Sequence, residues 1–126
     1  MMYKLTAEKT FSSAHALRGY KGKCENIHGH NWRVRVVVGG KKLNNLGMLV
    51  DFHVVKYMLD EVVESLDHTN LNEINPFEKV NPSAENIAAY IYKGMKKTLR
   101  EQGHKGVSLA EVTVWESETS SATVSE

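Results

Sequence analysis

Cys24-Glu25-Asn26-Ile27-His28-Gly29-His30 brings a thiol, a carboxylate and two imidazoles together within seven residues. If His28 opens a strand, the two-residue period sends both imidazoles to one face, and Gly29 between them leaves room for a close approach. That is two thirds of a metal site. His15, at the end of Phe11-Ser12-Ser13-Ala14-His15, offers a third nitrogen. Three histidines are what a catalytic zinc uses when it keeps one position open. Cys24 has three readings: a fourth ligand that closes the site, a free thiol beside the metal, or a small buried cysteine. A thiol beside a cation is partly thiolate and can take a proton from carbon.

Two carboxylates extend the set. Asp67-His68 is either a local capping arrangement at a helix end or a pair in which the acid orients an imidazole that relays a proton. Glu116 follows the strand-like Val112, Thr113, Val114, Trp115 and shares parity with the valines, where a bare carboxylate is costly to bury. Either it ends the strand in water, or it accepts two parallel N–H donors from a planar heterocycle such as a 2-amino-4-oxopyrimidine. His53 and His104 have no such company and read as surface residues.

The elements that must position these groups follow from periodicity. Tyr3, Leu5, Ala7, Phe11 and Ser13 alternate with polar residues, predicting a strand over 3–15 with His15 on the Phe11 side. Lys9 interrupts the alternation, as a bulge would. Residues 16–27 read as a loop, and Trp32, Val34, Val36 and Val38 continue the parity of His28 and His30. Gly39-Gly40 and Asn44-Asn45 suggest a turn. Asp51 caps a helix with Phe52, Val55, Leu59, Val62, Val63 and Leu66 on one face. Ser83 caps a second with Ile87, Ala88, Ile91, Met95 and Leu99, ending at Gly103, and Lys93, Lys96, Lys97 and Arg100 form its solvated face. Val107 to Val114 predict a third strand with a parity change near Ala110 and Glu111. Residues 117–126 are a short fourth strand or a frayed end. The order β-β-α-α-β-β predicts an α+β fold, a four-stranded antiparallel sheet with two helices on one face.

Composition bounds the rest. A chain of 126 residues suits one domain spanning 1–126, and a net charge of +1 supplies no field that would favour nucleic acid or a membrane surface. One cysteine excludes an internal disulfide, the N-terminus lacks a signal-peptide run, and no stretch reaches the roughly 18 apolar residues of a membrane span. The expectation is a cytoplasmic protein.

Taken together, Phe11-Ser12-Ser13-Ala14-His15, Cys24 to His30, Gly47-Met48-Leu49-Val50-Asp51-Phe52, Leu66-Asp67-His68, Asn81-Pro82-Ser83-Ala84-Glu85-Asn86 and Trp115-Glu116 resemble the 6-pyruvoyl-tetrahydropterin and 6-carboxy-tetrahydropterin synthase family over nearly the whole chain. The resemblance implies the tunnelling fold, in which three subunits join their sheets into a β-barrel and two trimers stack into a homohexamer with interfacial sites. It implies Zn2+ on His15, His28 and His30, Cys24 as proton acceptor, Asp67 and His68 as relay, and Glu116 anchoring the pterin ring. Ser83 and Glu85, in the Asn81 to Asn86 motif, are carried over as substrate-binding residues. The implied substrate is 7,8-dihydroneopterin triphosphate. The short interval from Cys24 to His28 is similar to the bacterial type that forms 6-carboxy-5,6,7,8-tetrahydropterin for queuosine, with release of acetaldehyde and triphosphate; the alternative is the pyruvoyl-forming type. Glu25, three residues before His28, resembles the catalytic glutamate of relatives that make 6-hydroxymethyl-7,8-dihydropterin for folate, so a dual activity is implied. Readings from other classes are a non-catalytic zinc or pterin-binding module and a zinc hydrolase.

Overall fold

The computed structural model describes residues 1–126, the side chain of Cys24 excepted. Two long strands form first along the chain, β1 (Tyr3–His15) and β2 (His28–Gly40), joined by a loop with a one-turn 3-10 helix at Lys23–Glu25. Helix α1 (Phe52–Glu64) follows, then a two-residue strand β3 (Thr69–Asn70) running into a 3-10 turn at Leu71–Glu73. Helix α2 (Ala84–Glu101) precedes a final hairpin of β4 (Ser108–Ser117) and β5 (Ser120–Ser125). The sheet order is β3-β1-β2-β4-β5.

The fold therefore departs from the four-stranded antiparallel sheet that periodicity predicts. β3 is a fifth strand and runs parallel to β1, pairing Thr69 with Ser13 and Asn70 with Ala14, so the sheet is mixed. Two residues are too few to show a period. What lays them there is tethering: the His68 amide donates to Ser12 O at 2.6 Å and the Ser12 amide donates to Asp67 Oδ1 at 2.9 Å. Residues 120–125 are an ordered edge strand paired with β4, not a frayed end.

Lys9 makes no bulge. The β1–β2 register is unbroken from Tyr3 opposite Gly40 to His15 opposite His28. Lys9 keeps the inward parity and its Nζ lies 2.7 Å from Asp60 Oδ1 on α1, which accounts for a cation in an apolar row. Gly39 and Gly40 belong to β2 rather than to a turn. A Cβ on Gly40 would meet Gly106 O at 2.4 Å, so the strand continues there because nothing larger than glycine fits. The predicted irregularity near Ala110 is present: Val37 pairs with Glu111 but Val38 with Leu109, leaving Ala110 as the extra residue.

Both helices cover one face of the sheet, α1 over β1 and α2 over β4 and β5. Their caps are as the sequence predicts, with the His53 amide donating to Asp51 and the Asn86 amide to Ser83 Oγ. Val55, Met58, Leu59 and Val63 of α1 and Ile87, Ala88, Ile91, Met95 and Leu99 of α2 bury against Ala7, Phe11, Trp32, Val34, Val36, Val112 and Val114. Phe52, placed on the α1 stripe by its spacing, is half exposed in the first turn. Gly94 lets the helices approach, since a Cβ there would meet Val62 Cγ1 at 2.9 Å. The opposite face is polar, with Arg33 3.8 Å above the Trp115 ring and Arg35 paired to Glu8 at 2.8 Å.

Candidate functional site

The β1–β2 register carries the site. Because His15 faces His28 and Ser13 faces His30 on the helix-covered side, two strands fix three imidazoles at one end of the sheet. Their ring centroids lie 4.6 to 5.0 Å apart, and Trp32, fully buried, packs its edge or face against His15 and His30 at 4.9 and 5.1 Å. His15 is itself fully buried.

Backbone carbonyls set the tautomers. His15 Nδ1 lies 2.7 Å from Pro82 O and His28 Nδ1 2.7 Å from Asn26 O. A carbonyl only accepts, so both Nδ1 atoms carry the proton, and each neutral ring presents a lone pair at Nε2. Those two Nε2 atoms face each other at 3.1 Å. Two lone pairs at that distance repel unless a cation lies between them. A proton is disfavoured, because burial is the main cause that holds the His15 and His30 pKa values below the usual 6.5. Among the described residues, His30 Nε2 is buried without a hydrogen-bond partner. Glu116 Oε1 is 3.1 Å from it but lacks the alignment of a hydrogen bond. An orphaned imidazole nitrogen beside two opposed lone pairs fits a metal ion. Ligand atoms at about 2.0–2.1 Å from a tetrahedral zinc lie about 3.3 Å apart, close to the observed separation.

Glu116 joins this group. One ligand atom from each of His15, His28, His30 and Glu116 falls within 4.8 Å of all the others. The sequence places Glu116 on the right face but gives no sign that its carboxylate reaches the histidines. β4 is irregular there: Trp115 pairs with Ser121 and Ser117 with Ser120, so Glu116 is the extra residue on the β5 side, while Trp115 stays paired with Arg33 of β2, next to Trp32 and His30.

Asp67 and His68 form a second cluster on the outer edge of β1, just before β3. Asp67 Oδ1 accepts from the Ser12 amide and lies 2.9 Å from His68 Nδ1. The amide bond is the main cause that holds the Asp67 carboxyl below its usual pKa. His68 has φ 56°, an uncommon left-handed conformation for a residue with a side chain, and that side chain is 82% exposed. A cavity of about 500 Å3 lies between the clusters, with Ser13, His30, Asn31, His68 and Asn70 among its walls. A larger depression of about 760 Å3, between the C-terminal half of α2 and β4, shares no residue with either cluster.

The remaining sequence candidates divide. The side chain of Cys24 lies outside what the structure describes. Glu25 is exposed in the 3-10 turn and Glu85 is exposed in the first turn of α2. The Ser83 hydroxyl is engaged as the α2 cap. Periodicity missed the residues that hold the loop before Cys24. Asn72 pairs with both backbone groups of Ala16, at 2.8 and 2.9 Å, and Asn81 pairs likewise with Arg18, at 2.9 Å each. Each asparagine substitutes for a strand neighbour. Arg18 adds a 2.7 Å bond to Phe77 O. Because Asn81 precedes Pro82, one short segment clamps the loop and orients His15. The only available signal was the Asn81 to Asn86 motif.

Comparison with known proteins decides the family. Residues 4–126 match the model for 6-pyruvoyl tetrahydropterin synthase. The chain belongs to this family. A Synechocystis relative named 6-carboxy-5,6,7,8-tetrahydropterin synthase is 39% identical over 116 residues, covering 88% of this chain and 85% of its own. A Pyrococcus furiosus relative named dihydroneopterin monophosphate aldolase is 34% identical over 116 residues, covering 92% and 91%. The solved 6-pyruvoyl tetrahydropterin synthase of Caenorhabditis elegans superposes with a TM-score of 0.88 at 26% identity, over 100% of this chain and 96% of that one. Family members thus include enzymes with different pterin products, and the protein is an enzyme of the tetrahydropterin synthase type. Among the described residues, no helix is long and apolar enough to cross a membrane.

Proposed function

We propose that the protein is a zinc-dependent lyase that converts 7,8-dihydroneopterin triphosphate to 6-carboxy-5,6,7,8-tetrahydropterin, releasing acetaldehyde and triphosphate, as a cytoplasmic step toward queuosine. The observation that carries the reading is the pair of Nε2 lone pairs 3.1 Å apart beside the orphaned His30 nitrogen, in a chain of this family. His15, His28 and His30 would hold the zinc, which when bound acidifies the side-chain oxygens of the substrate and stabilises negative charge developing there.

The chain's own groups then do the following. Cys24 takes a proton from a side-chain carbon. His68, oriented by Asp67, returns or relays a proton on the cavity side, where its exposure leaves it free to meet substrate. Glu116 accepts the paired N–H donors of the pterin ring and so sets the substrate's register. Ser83 and Glu85 would bind the substrate. The polypeptide edges support a homohexamer: β1 has a strand neighbour on its outer side only at Ser13–Ala14, and β5 is the other open edge. Edge pairing between copies would form the barrel and bring His68 to a neighbour.

A second product is favoured by one observation, the family likeness to an aldolase acting on dihydroneopterin monophosphate together with Glu25 in the turn before His28. Glu25 would support cleavage to 6-hydroxymethyl-7,8-dihydropterin. The deciding experiment is mass spectrometry of products from 7,8-dihydroneopterin triphosphate with wild type, Cys24→Ala and Glu25→Ala. The carboxy product should vanish with Cys24 and persist with Glu25 replaced, and the hydroxymethyl product should do the reverse. A 6-pyruvoyl product from the wild type would overturn the reading.

A further inference from the structure

Pro82 lies between the 3-10 turn at Leu71–Glu73 and α2, and its carbonyl decides which nitrogen of His15 carries the proton. The proline ring locks φ at about −65°, so the direction of that carbonyl depends on one torsion and on how firmly the residues on either side are held. Asn86, in the first turn of α2, grips both sides. Its Nδ2 donates to Asn81 O at 2.8 Å, and its backbone amide donates to Ser83 Oγ at 3.2 Å. The Asn86 side chain is exposed and belongs to neither histidine cluster. The α2 cap does not need it, because Ser83 Oγ bonds the Asn86 backbone.

We infer that Asn86 is a positioning residue: by holding Asn81 O it aims the Pro82 carbonyl at His15 Nδ1, and so keeps the His15 Nε2 lone pair turned into the three-histidine site. The other tautomer shows what is at stake. With the carbonyl turned away, the neutral His15 ring is free to carry its proton on Nε2, 3.1 Å from His28 Nε2, and would donate it there. That hydrogen bond would occupy the space in which a metal ion fits. The Asn72 and Asn81 side chains hold the loop backbone at Ala16 and Arg18, so neither replaces the grip on Asn81 O. The consequence for zinc rests on the proposed function; the consequence for the tautomer does not.

The test uses the full chain and Asn86→Asp. This variant is nearly isosteric and suits the first turn of a helix, where the dipole favours a carboxylate, but it has no hydrogen to donate to Asn81 O. Its urea midpoint should stay close to that of wild type. On metal-free protein well above pH 6.5, where the His15 ring is neutral, nitrogen–proton correlation spectra of that ring should show the Nδ1–H form in wild type and a mixture with the Nε2–H form in Asn86→Asp. Competition with a chromophoric chelator should show zinc bound about tenfold more weakly, the low end of the loss when an outer partner of a metal-ligating histidine is disturbed. Asn86→Gln, which restores the donor on a longer arm, should recover part of both effects. The wild-type tautomer in Asn86→Asp would overturn the positioning role and leave the zinc reading standing. A loss of zinc affinity that follows stability equally in Asn86→Asp and Asn86→Gln would overturn it too. Wild type that binds no stoichiometric zinc, with the tautomer shifted in Asn86→Asp, would support the positioning role and overturn the zinc reading.

Discussion

The two histidine clusters flanking β1 are built in opposite ways. His15, His28 and His30 sit on paired long strands, packed on Trp32, with their tautomers set by carbonyls of Pro82 and Asn26. His68 sits on a turn after α1, in a left-handed backbone conformation, with most of its side chain in solvent. The first cluster is finished within one chain; the second offers an imidazole to something outside it. Rigid strands suit ligands whose spacing must hold to tenths of an ångström, and an exposed turn suits a group that must reach a substrate or a neighbouring subunit.

Breaking the buried cluster should have the largest effect. His15→Ala removes a proposed zinc ligand and leaves Pro82 O without its donor, so stoichiometric zinc and all detectable activity should be lost, as read by elemental analysis and product assay. If His15→Ala kept both, the cluster would be ordinary buried histidines. At the exposed cluster the effects should separate. His68→Gly relieves a left-handed residue that costs roughly 1–2 kcal/mol, part of which returns as the extra entropy of an unfolded glycine. Denaturation should show stability unchanged or slightly raised, with zinc retained and kcat down by about 10²–10⁴ from the lost proton transfer. Parallel loss of stability and activity would mean that His68 is structural.

The Asn81 clamp links the clusters to the Cys24 loop. Asn81→Ala removes two hydrogen bonds to Arg18 and should cost about 1–2 kcal/mol in urea denaturation, with faster proteolysis within residues 16–27. Equal proteolysis of wild type and variant would show that the loop is held by other contacts. The gentlest probe is pH, on metal-free protein. His15 and His30 have pKa values held below 6.5 mainly by burial, so above that value both folded and unfolded states are neutral there and the fold keeps its full stability. As pH falls below 6.5 the unfolded chain takes up protons first, and stability drops. Asp67, held below 3.8, stabilises the fold above that value and loses its contribution only as pH falls through its lowered pKa. Urea midpoints should therefore decline in two separate windows. His15→Ala and His30→Ala should flatten the first, and Asp67→Asn only the second.

Much of the scaffold was legible because strands and helices write local periods. Parity alone put His28, His30 and Glu116 on the face that the helices cover, and Asp51, Ser83 and the Ala110 irregularity stand where their spacing predicts. The motifs carried the family, and the match over residues 4–126 agrees with them. Lys9 marks the limit of local pattern. A pattern of apolar and polar residues cannot tell a bulge from a cation whose partner, Asp60, is on another element.

What the sequence by itself determined is therefore which residue types lie on which face of which element, since that depends on neighbours two to four positions away. The tertiary structure decided the rest. Pro82 lies 67 residues from the His15 it orients, Asp67 lies 55 from the Ser12 amide it accepts, and Asn81 lies 63 from the Arg18 backbone it clamps. No local period encodes such pairings. They arise when the β1–β2 register and the packing of the helices and loops against it bring distant polar groups within reach of one another, so that each finds a partner.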